Sequence, residues 1–391
     1  GCPAYHPRMM LKVMIYSFTQ KNYSSRQIAK ALRENVNYMW IAGGNKPDFR
    51  TINRFRLDMK NVIEDVFYEV IKLLIEKNYI KLQNYFLDGT KIEANANKYT
   101  FVWNKSVQNY DKKLDEKIKN HLREIDRVVA EENRIYLDED LEELGENNRI
   151  TSEQVEAVVE SIDARLAETP DNKELKKKAK EFKKDILPRK KKYEEALHTF
   201  EGRNSYSKTD HDATFMRMKE DAMLNGQLKP GYNVQIGTEN RYIVGYTIHP
   251  NPTDTKTMIP HLNHLKEKLG TLPENIITDS GYGSEENYEY LEENHLGSYV
   301  KYNKFHWEKK KKNRENPYLI ENMPYNAETD SFICKNEKRL VHKGSRKYVT
   351  EAGYETSRDY YTCEDCRECP YASECKNTEK NRTVQVSHRL N

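Results

Sequence analysis

The chain lacks any apolar run approaching the ~20 residues needed to cross a bilayer, and no signal peptide is visible in its 391 residues. A membrane-spanning or secreted protein is therefore not expected; a soluble, cytoplasmic one is. Apolar residues reach only 37% of the total and charged residues 32%, yet the length suffices for two or three domains with a real core. Cysteine is scarce outside one place: of six, four fall within residues 363–375, while Cys2 and Cys334 stand apart. Cytoplasmic thiols are usually reduced, so such a cluster points to metal before disulfide. Between about residues 105 and 200 there is almost no β signal. The sequence opens at Gly1 rather than Met and ends at Asn391 without a closing signal, so it reads as a fragment.

The small net charge of +3 hides local asymmetry. Residues 1–60 carry eleven Lys/Arg against three Asp/Glu, a basic balance that suits a nucleic-acid partner. Several short helices are expected there. Met9, Met10, Val13, Met14 and Tyr16 form one amphipathic set, Ser24 and Ser25 can cap a second helix, and Pro47-Asp48 opens a third. The last carries Arg50, Asn53, Arg54 and Arg56; with Arg26 these are the expected DNA contacts of a helix-turn-helix-like domain. A longer helix over 61–77 repeats apolar residues at spacings of three and four. Further on, residues 126–168 hold fourteen acids against four bases, and residues 173–192 eleven bases against three acids. Opposite blocks of this kind predict an antiparallel helical hairpin turning at Pro170-Asp171.

Two apolar, turn-bounded runs end in aspartate: Tyr85-Phe86-Leu87-Asp88-Gly89-Thr90 and Asn275-Ile276-Ile277-Thr278-Asp279-Ser280-Gly281. Each suits a buried strand with its acid at the terminus. Strands are also expected at 232–236, 242–248 and 298–302, with helices over 254–269 and 284–293. The order is strand, long insertion, strand, strand, helix, strand, helix, strand. That is a ribonuclease-H-like layout, in which the first and fourth strands are neighbours and Asp88 comes beside Asp279. Two carboxylates so placed can hold two Mg²⁺ (or Mn²⁺) ions for phosphodiester chemistry. Taken singly, each aspartate reads equally as a turn residue. Glu93, Asp212 and Lys91 are weaker candidates, and His261 and His264, three apart, suit a polar helix face better than a metal. The basic run from Lys301 to Arg314, with Phe305, His306 and Trp307, suits a phosphate backbone or a solvated loop.

These pieces jointly resemble the DDE transposases of bacterial insertion sequences. The resemblance runs from Pro3-Ala4-Tyr5-His6-Pro7 and Pro47-Asp48-Phe49-Arg50-Thr51 through Leu87-Asp88-Gly89-Thr90-Lys91, Thr209-Asp210-His211-Asp212-Ala213 and Gly231-Tyr232-Asn233-Val234-Gln235 to Thr278-Asp279-Ser280-Gly281-Tyr282. It implies an α/β protein with four parts. A helical DNA-binding domain spans 1–78, and a ribonuclease-H-like mixed sheet spans 79–104 and 205–305. A charged helical insertion covers 105–204, and a basic, Cys-rich segment covers 306–391. It further implies DNA as partner (terminal inverted repeats and target), a homodimer on DNA, nucleoid association, and Asp88 and Asp279 as catalytic metal ligands. The family's third acid, a glutamate on a helix beyond a cysteine-rich segment, has no counterpart before Asn391; Glu351 and Glu355 are poor substitutes. Cys363, Cys366, Cys369 and Cys375 are expected to enclose a structural Zn²⁺. The competing readings are a DNA-binding remnant without chemistry and a nuclease that never joins strands.

Overall fold

The computed structural model describes residues 4–132, 149–168, 170, 172–218, 226–302, 304–350 and 353–387. Cys2, Asp171 and Glu351 lie outside them, as do parts of the 126–168 acidic block and the terminal Arg389-Leu390-Asn391. No helix among the described residues is long and apolar enough to cross a membrane.

The chain divides into two compact units. The first comprises Gly1–Gln83 with Glu239–Gly245 and His264–Leu272. Its helices are α1 (Pro7–Thr19), α2 (Ser25–Glu34), α3 (Val36–Ile41), α4 (Phe49–Asp58) and α5 (Ile63–Glu76). As expected, Met10, Val13, Ile28, Leu32 and Ile52 form a shared core under α1 to α4. Asp48 caps α4 by accepting the Thr51 N–H at 2.7 Å, whereas Ser24 ends the turn before α2 without a side-chain bond. The α5 stripe is less buried than its period suggests: Tyr68 and Ile71 are covered, but Val70 and Leu73 are about half exposed.

Residues 239–245 and 264–272 cluster with these helices, and several of the contacts that draw them in are polar. The buried Glu239 carboxylate accepts the backbone N–H groups of Leu82 at 2.7 Å and Gln83 at 2.9 Å. His264 meets Glu64 at 2.9 Å, and Lys268 meets Asp65 at 2.8 Å. Such pairings join residues far apart in sequence and leave no local pattern.

The second unit carries most of a six-stranded mixed sheet. Its strands are β1 (Asn84–Glu93), β4 (Thr214–Arg217), β5 (Leu228–Glu239), β6 (Tyr242–His249), β7 (Asn275–Thr278) and β8 (Gly297–Val300), in the order β4-β5-β1-β7-β8, with β6 also pairing β5. β1 is antiparallel to β5 and parallel to β7, which is parallel to β8. The expected adjacency of first and fourth core strands is present. One expectation fails: β1 does not stop at Asp88. Gly89 to Glu93 continue in register against Gln235 to Gly231, so Asp88 sits within the strand rather than at its end. What ends there is only the parallel pairing, whose last rung is Leu87 opposite Thr278.

A two-stranded ladder of β2 (Phe101–Trp103) and β3 (Ser205–Ser207) closes the neck of the insertion. The insertion is not two arms. It has α6 (Asn104–Glu132), α7 (Ser152–Glu168), and α8 (Lys173–Glu181) running through a π turn at Phe182–Ile186 into α9 (Leu187–Phe200). Leu114, Ile118, Val155, Ile162, Leu175, Phe182 and Ile186 give it a core of its own. The basic arm does reach the acidic block, through Lys183 to Asp163 at 2.7 Å and Lys191 to Glu156. Its most buried cation turns the other way: Lys190 is fully covered and meets Asp111 at 2.7 Å and Asp115 at 2.6 Å, both on α6.

Residues 306–391 were expected only as a basic, Cys-rich segment. They hold a five-stranded antiparallel sheet of β9 (Tyr325–Asn326), β10 (Ser331–Ile333), β11 (Arg339–Val349), β12 (Glu355–Cys363) and β13 (Thr383–Val386). β11 is exposed along most of its length, so the alternation that betrays a strand is weak.

Candidate functional site

β1 and β7 run side by side with Asn84 to Leu87 opposite Asn275 to Thr278. The next residue on each chain is an exposed aspartate, Asp88 and Asp279. Neighbouring strands lie about 4.8 Å apart, so the two acids leave adjacent backbones one residue past the last paired rung. Asp279 follows the end of β7 in an extended conformation, and one carboxylate oxygen accepts the Gly281 N–H at 2.8 Å. That bond fixes its direction and leaves its second oxygen for another partner.

The opposite face of β1 carries a polar network. Asn233 and Gln235, both fully buried, project from β5 and donate to one oxygen of Asp254 at 2.8 and 3.1 Å. Gln235 also accepts the hydroxyl of Tyr282, itself fully buried. That phenol is pushed well above its ordinary pKa, first by burial and then by the negative charges of Asp254, Asp88 and Asp279. Three carboxylates thus act on one hydroxyl. Sequence reading had seen in Asp254 only the opening of a helix; the signal available was the company of Gly89 and Gly281, whose missing side chains make room for it.

Glu93 pairs with Lys229 at 2.7 Å, and the carbonyl of Asp212 accepts from Arg203 at 3.0 Å. His261 is buried between the Tyr85 hydroxyl and Thr247, both at 2.7 Å, so it is a satisfied interior histidine. Glu355 opens β12 as an exposed strand residue. Lys309 and Lys301 stack on Phe305 at 4.0 and 5.4 Å. In the first unit, Arg26, Arg50, Asn53, Arg54 and Arg56 are all exposed, and Arg26 and Arg50 flank the Phe49 ring at 5.2 and 5.7 Å.

Among the described residues, no three or more His, Cys, Asp or Glu side chains converge closely enough to hold a metal ion. Of the four clustered thiols, Cys363 is buried and Cys366, Cys369 and Cys375 are half-buried. The buried Cys363 thiol, part of a small core with Leu340 and Tyr361, donates to the Asp365 carbonyl and is pushed up to about 12 by burial and by Cys366. Cys334, a free thiol as expected, packs against the same core. Magnesium asks for less: one or two carboxylates, the rest water. The oxygen-only pair Asp88 and Asp279 suits it.

Residues 1–58 match the family described as transposase domain (DUF772), and residues 203–378 match the family described as transposase DDE domain. The chain belongs to the insertion-sequence DDE transposases. Its partner is accordingly DNA, and the transposase is a DNA-cutting enzyme of a class that uses divalent metal ions. No curated protein and no solved structure matches the transposase significantly.

Proposed function

We propose that this transposase binds the terminal repeats of an insertion sequence through its first unit and cuts and joins DNA strands at Asp88 and Asp279. The observation that carries the reading is the register of β1 against β7, whose last rung, Leu87 opposite Thr278, immediately precedes both acids. The strand order β6-β5-β1-β7-β8 supports a ribonuclease-H-like core, with the helical insertion entering after β1 and β2. When bound, a pair of divalent ions lowers the pKa of the attacking hydroxyl and steadies the leaving oxygen. The protein's part is placement. Asp88 is held by strand pairing on one side along its continuation into Gly89–Glu93, and Asp279 is aimed by the Gly281 N–H. The test is Mg²⁺-dependent joining of a labelled terminal repeat to a target plasmid by the full chain. Joined product is expected; cleavage without joining would favour a nuclease, and binding alone a remnant.

DNA recognition falls to the exposed basic residues of α2 and α4: Arg26, Arg50, Asn53, Arg54 and Arg56. Arginines that neutralise phosphates release counterions, so affinity should fall steeply with salt. Replacing Arg50 and Arg54 by alanine is expected to weaken binding at every salt concentration and to reduce the log–log salt slope by about 2. Fluorescence anisotropy on labelled duplex measures both, and an unaltered slope would remove these two arginines from the interface.

A further inference from the structure

Asp254 occupies a place that a residue used only for packing would not need. It begins a short 3₁₀ turn after β6, and its carboxylate lies flat against the backbone of two separate segments. A Cβ on Gly89 would come within 2.3 Å of one Asp254 oxygen, and a Cβ on Gly281 within 3.4 Å of the other. Gly89 is the residue after Asp88, and Gly281 is the residue whose N–H holds Asp279. The Asp279 carboxylate reaches the same space, 3.0 Å from that Gly281 position. The neighbouring Thr255 hydroxyl donates to the Gly281 carbonyl at 2.9 Å. Asn287, almost wholly buried, then ties the Thr255 carbonyl at 2.9 Å to the Tyr282 carbonyl at 2.6 Å. Asp254 and Thr255 therefore clasp the strand that carries one acid to the turn that carries the other.

The same geometry says how Asp254 acts. Successive strand residues face opposite ways, so Asp254, on the Gly89 face, is across the sheet from the Asp88 side chain. Its first oxygen is occupied by the amides of Asn233 and Gln235. It thus stands behind Asp88 and beside Asp279, outside the pair itself.

We propose that Asp254 is a positioning residue for the Asp88–Asp279 pair, setting their spacing through Gly89 and Gly281 and strengthening their hold on a divalent cation by its charge. The inference rests on the reading of Asp88 and Asp279 given above. It predicts opposite effects with and without metal. Three neighbouring carboxylates repel one another until a cation arrives, so losing one charge should ease the metal-free protein while weakening cation binding.

The experiment is Mn²⁺ binding to the full chain, followed by electron paramagnetic resonance, with melting in chelator measured alongside. Asp254→Asn keeps the shape and the acceptor oxygen but removes the charge. It should weaken Mn²⁺ binding about five- to tenfold while melting in chelator at or above the wild-type temperature. A variant that binds Mn²⁺ within twofold of wild type, while Asp88→Asn loses it, overturns the proposal and makes Asp254 a core hydrogen-bonding group only. If Asp88→Asn also binds Mn²⁺ like wild type, the functional reading itself falls, and this inference with it. Should Asp254→Asn fail to fold, Thr255→Val removes the clasp at Gly281 without touching charge. It should weaken Mn²⁺ binding about two- to threefold, and unchanged binding there would equally overturn the proposal.

Discussion

Asp88→Asn is expected to slow strand cleavage by about 10³-fold or more at saturating Mg²⁺, equivalent to about 4 kcal/mol of barrier. The substitution is nearly isosteric on an exposed strand position, so pairing of β1 with β5 and β7 is retained. What is lost is one of the two carboxylates that leave adjacent strands. An amide carries no charge with which to hold a divalent ion that Asp88 would bind. DNA affinity, which the proposal assigns to the helices of the other unit, should stay within about twofold of wild type. Single-turnover cleavage of a labelled terminal repeat gives the rate, and anisotropy gives the affinity. Cleavage at wild-type speed would dissociate Asp88 from the chemistry.

The largest loss of stability should come from a residue distant from any DNA chemistry. Lys190 is fully buried with its ammonium 2.7 Å from Asp111 and 2.6 Å from Asp115. Removing one partner of a buried ion cluster strands the others, at about 3–5 kcal/mol. Arg149, 2.6 Å from Asp111, softens this only on one side. Lys190→Ala is thus expected to lower the denaturation midpoint of the insertion, followed by circular dichroism and by protease cleavage within 104–204. The loss should shrink as pH falls. Burial already raises the Asp115 carboxyl above its ordinary pKa. With the lysine gone its folded pKa rises further, so the folded state takes up protons that the unfolded state does not, and stability is regained as pH drops through that folded value. Replacing all three groups by apolar residues should recover part of the loss, because no charge is then left without a partner. A Lys190→Ala protein as stable as wild type would mean the cluster contributes nothing net.

The pairing of the two strands that lead to Asp88 and Asp279 could be read in the sequence because its signals are local. An apolar run ending in aspartate marks Asp88 and Asp279, and Pro47-Asp48 marks the start of α4. Where reading fell short, the determining contacts are long-range. Gly89 to Glu93 carry Lys91 and Glu93 and look like a loop, and only Gln235 to Gly231, far along the chain, make them strand. Lys190 is one base among eleven in its block, and nothing in its spacing distinguishes the one that is buried. Asp254 was legible as the start of a helix, not as the reason two glycines stand where they do. The C-terminal sheet is polar on much of both sides, and period-two reading depends on one side being dry.

The neck of the insertion has a consequence for how such a chain can change. Trp103 stands opposite Ser205 in the β2–β3 ladder, so about a hundred residues depart from the sheet and come back at a single rung. Their interior is their own, as the packing of Leu114, Val155 and Phe182 attests. Lengthening, shortening or exchanging that bundle alters nothing in the path from β1 to β7, which leaves reach and partner choice free to diverge while the cutting centre is inherited intact.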